Sequence, residues 1–255
     1  KNMRLIVMSA TLDAKRLTEH MNATLLVGEG RAFPVTHSHL PCEGILPETR
    51  ELERRVSQAV DQALNHPGDI LVFLPGKGEI ASVSSHLRSR QDVKVLPLHG
   101  GLSLSEQMRV FNPDSKRKVI LSTNVAETSL TVPGVGVVID SGLVRQTRYH
   151  RDRGFLTLVP IAADSAEQRA GRAGRTAPGV CFRLWSPQAR LDPLTRPEIQ
   201  RESLVPLLLS AAACGEDTHT LPFLDPPAEH AISTALDELK ALGAVNEEGE
   251  INDRG

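Results

Sequence analysis

Aromatic side chains are scarce in this chain of 255 residues, which has six Phe, one Tyr and one Trp. So few rings argue against a stacking platform for single strands of the RRM or OB-fold kind. The three cysteines, Cys42, Cys181 and Cys214, are far apart and odd in number, and no CxxC pair occurs. Neither a disulfide framework nor a zinc site is expected, and a reducing cytoplasm is the simplest setting. No apolar stretch approaches the ~18 residues of a membrane span, and no signal peptide is visible, so no membrane partner is expected. Neither sign of charge dominates: 29 Lys plus Arg face 31 Asp plus Glu, for a net charge of −2. Any contact with a polyanion must therefore be local.

What is present is ordinary globular composition, 40% hydrophobic and 24% charged. Short apolar runs alternate with helical patterns. Residues 5–8 (LIVM), 69–74 (DILVFL), 93–98 (VKVLPL), 118–122 (KVILS), 135–140 (VGVVID) and 180–185 (VCFRLW) are strand candidates. Several are unbroken apolar runs, as suits parallel strands buried on both faces. Between them, 48–66 reads as a helix with Leu52, Val56, Ala59, Ala63 and Leu64 on one stripe. The alternation predicts an α/β fold, a parallel sheet wrapped by helices, whose ligands bind beyond the carboxyl ends of the strands.

The pattern changes near residue 192. A leucine-rich helix over about 197–214 is expected, kinked at Pro206, then a proline-rich connector at 221–230 and an amphipathic helix at 228–244 with Gly243 as its C-cap. Two short strands around an EEG turn follow at 244–253. Helix, helix, hairpin is the outline of a small winged helix. Because Leu5–Met8 reads as a core strand so soon after Lys1, the chain is expected to be a piece of something larger.

Four strand-to-helix loops carry polar chemistry. In 122–135 (STNVAETSLTVPGV), Ser122, Thr123, Asn124, Thr128, Ser129 and Thr131 place hydroxyls and amides at a strand end. Such a surface suits a sugar–phosphate backbone, and a capped turn is the alternative. Gly100 and Gly101, after His99, allow close backbone approach to an anion, or merely form a turn. Residues 74–79 (LPGKGE) form a similar loop, and Ser9 and Thr11 either carry function or cap a helix starting near Asp13. The last segment, 164–175 (DSAEQRAGRAGR), reads as a helix capped by Asp164 or Ser165. Helical phase aligns Gln168, Arg172 and Arg175 and turns Arg169 elsewhere. Two aligned arginines suit a triphosphate, while a solvated basic face is the alternative. The two glycines, costing about 1–2 kcal/mol in a helix, argue against a plain surface role.

These segments, in order SAT, a loop with PG, HGGLS, STNVAETSLT, VVIDSG and QRAGRAGR, resemble motifs III, IV, IVa, V, Va and VI of superfamily 2 DEAH-box RNA helicases. The pairing of AETSLT with QRAGRAGR is specific to that family, and RAGRAGR, GVCFRLWS and LPFLDPP look most like the bacterial HrpB type. The resemblance implies the end of a first RecA-like domain at 1–20, a second RecA-like domain at 21–192 and the start of a winged helix at 193–255. It implies that Gln168, Arg172 and Arg175 contact ATP phosphates, that Phe111 stacks on adenine and that Thr131 meets the ribose. The family often carries an acidic residue two positions after that threonine, where this chain has Pro133. It further implies that Gly76, His99, Gly100, Thr123, Asn124 and Thr128 face the nucleic acid. By the same resemblance, Ser9 and Thr11 couple hydrolysis to domain closure and 145–158 forms a β-hairpin near the duplex junction.

The sequence has no GxxxxGK[ST] and no DEAH. The loop that cradles ATP, and the carboxylates that hold its Mg2+, are therefore expected in a preceding domain. The implied protein is a monomeric, cytoplasmic ATP-dependent RNA helicase, with this part inactive alone. A non-catalytic nucleotide- or RNA-binding module and a helicase acting on DNA remain the alternatives.

Overall fold

The structure is a computed structural model and describes residues 5–8, 13–28, 33–40, 43–127, 130–150 and 153–252, without the side chains of 148–150 and 153–154. It divides into two compact units. One comprises Gly30–Gln146 and Thr157–Thr195; the other comprises Lys1–Glu29, Thr147–Leu156 and Arg196–Gly255.

The larger unit is built on six parallel strands: β1 (Val35–His39), β2 (Asp69–Phe73), β3 (Val93–Leu98), β4 (Arg117–Ser122), β5 (Val135–Asp140) and β8 (Gly179–Arg183). Their order is β1-β8-β5-β2-β4-β3. The central run Ile70–Phe73 is fully buried, as an apolar strand covered on both faces must be. One face packs on α2 (Leu52–Ala63) and α3 (Lys77–Leu87), through Val56, Val60, Ile80 and Val83. The other face buries Leu71, Phe73, Leu98, Ile120 and Val138 with Ala170 and Ala173.

Five of the six strand expectations are met within a residue or two. The exception is Leu5–Met8, which is not a strand; Leu5, Ile6 and Met8 are 67%, 79% and 86% exposed. A strand needs a neighbour to complete its ladder, and no described strand lies beside this segment. The strand β1 was not foreseen. Its sequence, VTHSH, has one apolar residue, and its edge position, paired only with β8, asks for no more.

Two further strands, β6 (Leu143–His150) and β7 (Arg153–Pro160), form a separate two-stranded sheet, the hairpin expected at 145–158. Phe155 and Leu156 are exposed on it.

The smaller unit contains α1 (Ala14–Met21), α6 (Val205–Ala213) and α7 (Glu229–Ala241). Asp13 caps α1 by accepting from the Arg16 amide at 3.2 Å. Leu204, Leu208, Ile232, Ala235, Leu239 and Val245 make its core. The helix expected over 197–214 starts only at Val205, so Pro206 lies in its first turn and kinks nothing. Gly243 ends α7 with a φ of 68°, the left-handed conformation foreseen for it. In place of two strands at 244–253 there is a single antiparallel bridge, Val245 to Ile251, since the segment is too short to extend a ladder. Among the described residues no helix is long and apolar enough to cross a membrane.

Candidate functional site

Parallel strands deliver all their following loops to one end of the sheet. Because β2, β4 and β3 are neighbours, the loops after them lie side by side. The Leu74 amide donates to the Ser122 carbonyl at 2.8 Å, and the Thr123 amide donates to the Leu98 carbonyl at 3.2 Å. Gly76, His99, Gly100, Thr123 and Asn124, expected from separate motifs, are thus brought to one edge. Gly76 is the N-cap of α3, and a Cβ there would meet Arg145 and Glu79 at 3.0 Å. Arg145 donates to Glu79 at 2.6 Å, bracing that turn.

His99 is half-buried and its Nδ1 accepts from the Gly101 amide at 3.2 Å. Burial and the nearby Lys77 lower its pKa, with Glu106 opposing, which suits a neutral acceptor ring. Gly100 is exposed with open space around it, whereas Gly101 leaves room for the Lys77 ammonium. The two glycines do not sit at a helix start. Helix α4 (Leu104–Met108) begins later and is capped by Ser103 and Glu106 in a capping box.

The segment after β4 continues as a short turn of 3-10 helix, Asn124–Ala126. Asn124 is exposed, and Thr123 and Glu127 are half-buried. Thr128, like Ser9 and Thr11, lies outside the described residues.

The arginine segment departs from the expected continuous helix. Helix α5 spans only Ala163–Ala170, with Ala162 rather than Asp164 or Ser165 at its N-cap. Asp164 instead binds the Thr195 amide at 3.1 Å. From Gly171 onward the backbone forms three-residue turns, such as Arg172 N–H to the Arg169 carbonyl at 3.1 Å. Helical phase therefore cannot align Gln168 with Arg172 and Arg175, and the glycines do not stand inside a helix. Gly174 is needed for close approach: a Cβ would lie 2.5 Å from the Phe33 carbonyl oxygen and 2.7 Å from Val35. Gln168 is half-buried in α5.

Arg172 and Arg175 nevertheless reach the same stretch. Arg172 Nη1 donates to the Leu130 carbonyl at 3.3 Å, and Arg175 donates to the Thr131 hydroxyl. Arg172 is nine-tenths buried, and its Nε has no partner. Burial and the neighbouring Arg175 lower its pKa to about 10, with Glu127 opposing, so it stays charged at neutral pH. It is a desolvated cation with an unused donor, a group suited to receiving an anion. Phe111 is half-buried against Val110 and the core that also includes Val125 and Leu130.

Arg169, still within α5, turns into the core instead. It is 1% exposed and lies 4.9 Å over the Phe73 ring. Its Nε donates to Glu127 Oε2 and its Nη1 to Asp140 Oδ1, both at 2.9 Å. Burial opposes its charge, yet the Asp140 and Glu127 carboxylates hold its pKa above the ordinary value. Burial pushes the Asp140 carboxyl up, against the pull of Arg169. Sequence reasoning assigned no role to Glu127 or Asp140. The signal was there in an acid closing the apolar run VGVVID, since a buried carboxylate requires a cation.

Residues 54–177 match the helicase conserved C-terminal domain. Over 96% of its length the chain is 38% identical to the ATP-dependent RNA helicase HrpA of Escherichia coli K12, across 257 residues and 20% of that protein. The same share of the chain superposes on two crystal structures of Escherichia coli HrpB. One, described as a DExH-box NTPase, gives a TM-score of 0.78 at 34% identity over 31% of its chain. The other, described as a DEAH/RHA helicase, gives 0.82 at 35% over 32%. The chain thus carries a helicase C-terminal domain at residues 54–177 and is similar to DEAH-type helicases over nearly its whole length. The helicase sheet is RecA-like, as in HrpB. The chain spans 20% of HrpA and about a third of HrpB.

Proposed function

We propose that this chain supplies one wall of an ATP site, and one part of an RNA track, in an ATP-dependent RNA helicase. The observation that carries the reading is Arg172: charged, buried, with no carboxylate partner among the described residues and an unpaired Nε, beside a second arginine. Burial without neutralisation is costly unless an anion completes the site. ATP phosphates have the charge and the paired oxygens that a planar guanidinium can bind bidentately, and an arginine at the γ-phosphate stabilises charge that develops in phosphoryl transfer. Arg172 takes that role, Arg175 leaves Thr131 to join it, and Gln168 orients the approach. Phe111 meets adenine and Thr131 the ribose.

On the RNA side, Gly76, His99, Gly100, Thr123, Asn124 and Thr128 hold the backbone, and Ser9 and Thr11 couple hydrolysis to closure. Backbone contacts of this kind carry no base code, so the track reads shape and phosphate. In this reading residues 1–20 end a first RecA-like domain, 21–192 form the second and 193–255 begin a winged helix. Among the described residues no cluster of acidic or histidine side chains could hold magnesium, which neutralises phosphate charge, so its ligands come from elsewhere in this reading.

The test is Arg172→Ala in the full-length protein. ATP turnover with saturating RNA should fall by at least about a thousandfold, the range of an arginine finger. Turnover within a few-fold of wild type would remove Arg172 from the site. Stimulation by single-stranded DNA exceeding that by RNA would reassign the track.

A further inference from the structure

Glu127 has a position that charge balance alone does not explain. One carboxylate suffices to neutralise a buried guanidinium, and Asp140, wholly buried at 2.9 Å, already does so for Arg169. Glu127 adds a second carboxylate, also at 2.9 Å, delivered by a loop rather than by the sheet. A second, half-buried carboxylate still gives up solvation and needs a compensating gain.

Two features supply it. Both Glu127 oxygens are used against α5: Oε1 accepts from the Ser165 hydroxyl at 2.7 Å and Oε2 from Arg169. The surplus charge also acts favourably on Arg172, the buried cation with no carboxylate partner of its own among the described residues. Further along the same loop, the Leu130 carbonyl accepts from Arg172 at 3.3 Å and Thr131 accepts from Arg175. One loop is therefore tied at three places, 127, 130 and 131, to one segment, 165–175. The loop begins with Thr123 and Asn124 at the sheet end, and the segment finishes with the arginines.

We propose that Glu127 is a positioning residue that makes the 123–131 loop and the arginine segment move as one body, so that RNA held by the loop sets the reach of Arg172 and Arg175 toward phosphate. This deepens the function proposed above and rests on it. Glu127 touches neither ligand. It acts through Ser165 and Arg169, and its loss uncouples the two binding events without removing either.

The experiment measures coupling in the full-length protein. The affinity for AMP-PNP is determined with and without saturating poly(U) RNA, in wild type, Glu127→Gln and Ser165→Ala. The wild-type ratio should exceed about tenfold, and Glu127→Gln should bring it close to one, within the usual size of a coupling between sites. Ser165→Ala removes one of the two ties and leaves the fold's charge unchanged, so its ratio should fall between. A melting temperature for each variant accompanies the titrations. A lowered melting temperature with an unchanged ratio would show a merely structural Glu127 and overturn the proposal. If Arg172→Ala abolishes turnover while Glu127→Gln keeps the ratio, the coupling idea fails and the ATP-site reading stands. If Arg172→Ala is active, the reading beneath both fails.

Discussion

Arg169, Arg172 and Arg175 carry the same charge within seven positions, and their surroundings assign them different work. Arg169 is sealed against Phe73 between two carboxylates. Arg172 is buried with no such partner among the described residues, and Arg175 is exposed on Thr131. Removing one member of a buried ionic group leaves its partners uncompensated. Arg169→Met should therefore cost about 3–5 kcal/mol in denaturant unfolding, because Asp140, wholly buried, and Glu127, half-buried, would be left without a cation. Arg175→Met should change stability by no more than about 0.5 kcal/mol, as for an ordinary surface site. Equal losses in the two variants would refute the distinction.

At the scale of elements, the arginine segment shows what spacing could and could not foretell. The pattern of 164–175 predicted a helix with two glycines inside it, and α5 ends at Ala170 before either. The cost of two glycines argued that they serve more than a plain surface, through close packing for instance. That holds for Gly174, pressed against the chain entering β1, and not for Gly171, where a Cβ would find only ordinary contacts at 3.4 Å or more. Gly171 has a helical φ of −57°, so alanine fits there. Gly174→Ala should destabilise by about 1–3 kcal/mol, as overpacking does. Gly171→Ala should be neutral or add up to about 1 kcal/mol by restricting the unfolded chain. Thermal melts of the two variants decide, and a shared sign would contradict the packing geometry. The same limit explains β1: an edge strand with one apolar residue leaves no periodic trace.

At the scale of the whole molecule, the sheet brings three separate loops together, and the expected binding residues with them. What it does not bring is a phosphate-cradling loop of the GxxxxGK[ST] kind, which the sequence lacks. Under the function proposed above, ATP without that loop and its lysine would have only the arginine wall to meet. The purified chain should therefore show no RNA-stimulated release of phosphate from ATP above a protein-free blank. Turnover that disappears in Arg172→Ala would show instead that these residues form a complete site.

The sequence by itself determined the central strands and their order along the chain, because apolar runs buried on both faces leave an unbroken signature. It also determined the polar loops after them. Tertiary structure decided what no spacing encodes: which loops are neighbours, that Glu127 and Asp140 meet on Arg169, and that Arg172 has no carboxylate partner among the described residues. Charge pairing in a buried site depends on strands distant in sequence arriving side by side, and local periodicity carries no record of that. Leu5–Met8 makes the same point from the other side: an apolar run becomes a strand only where a neighbour accepts its hydrogen bonds.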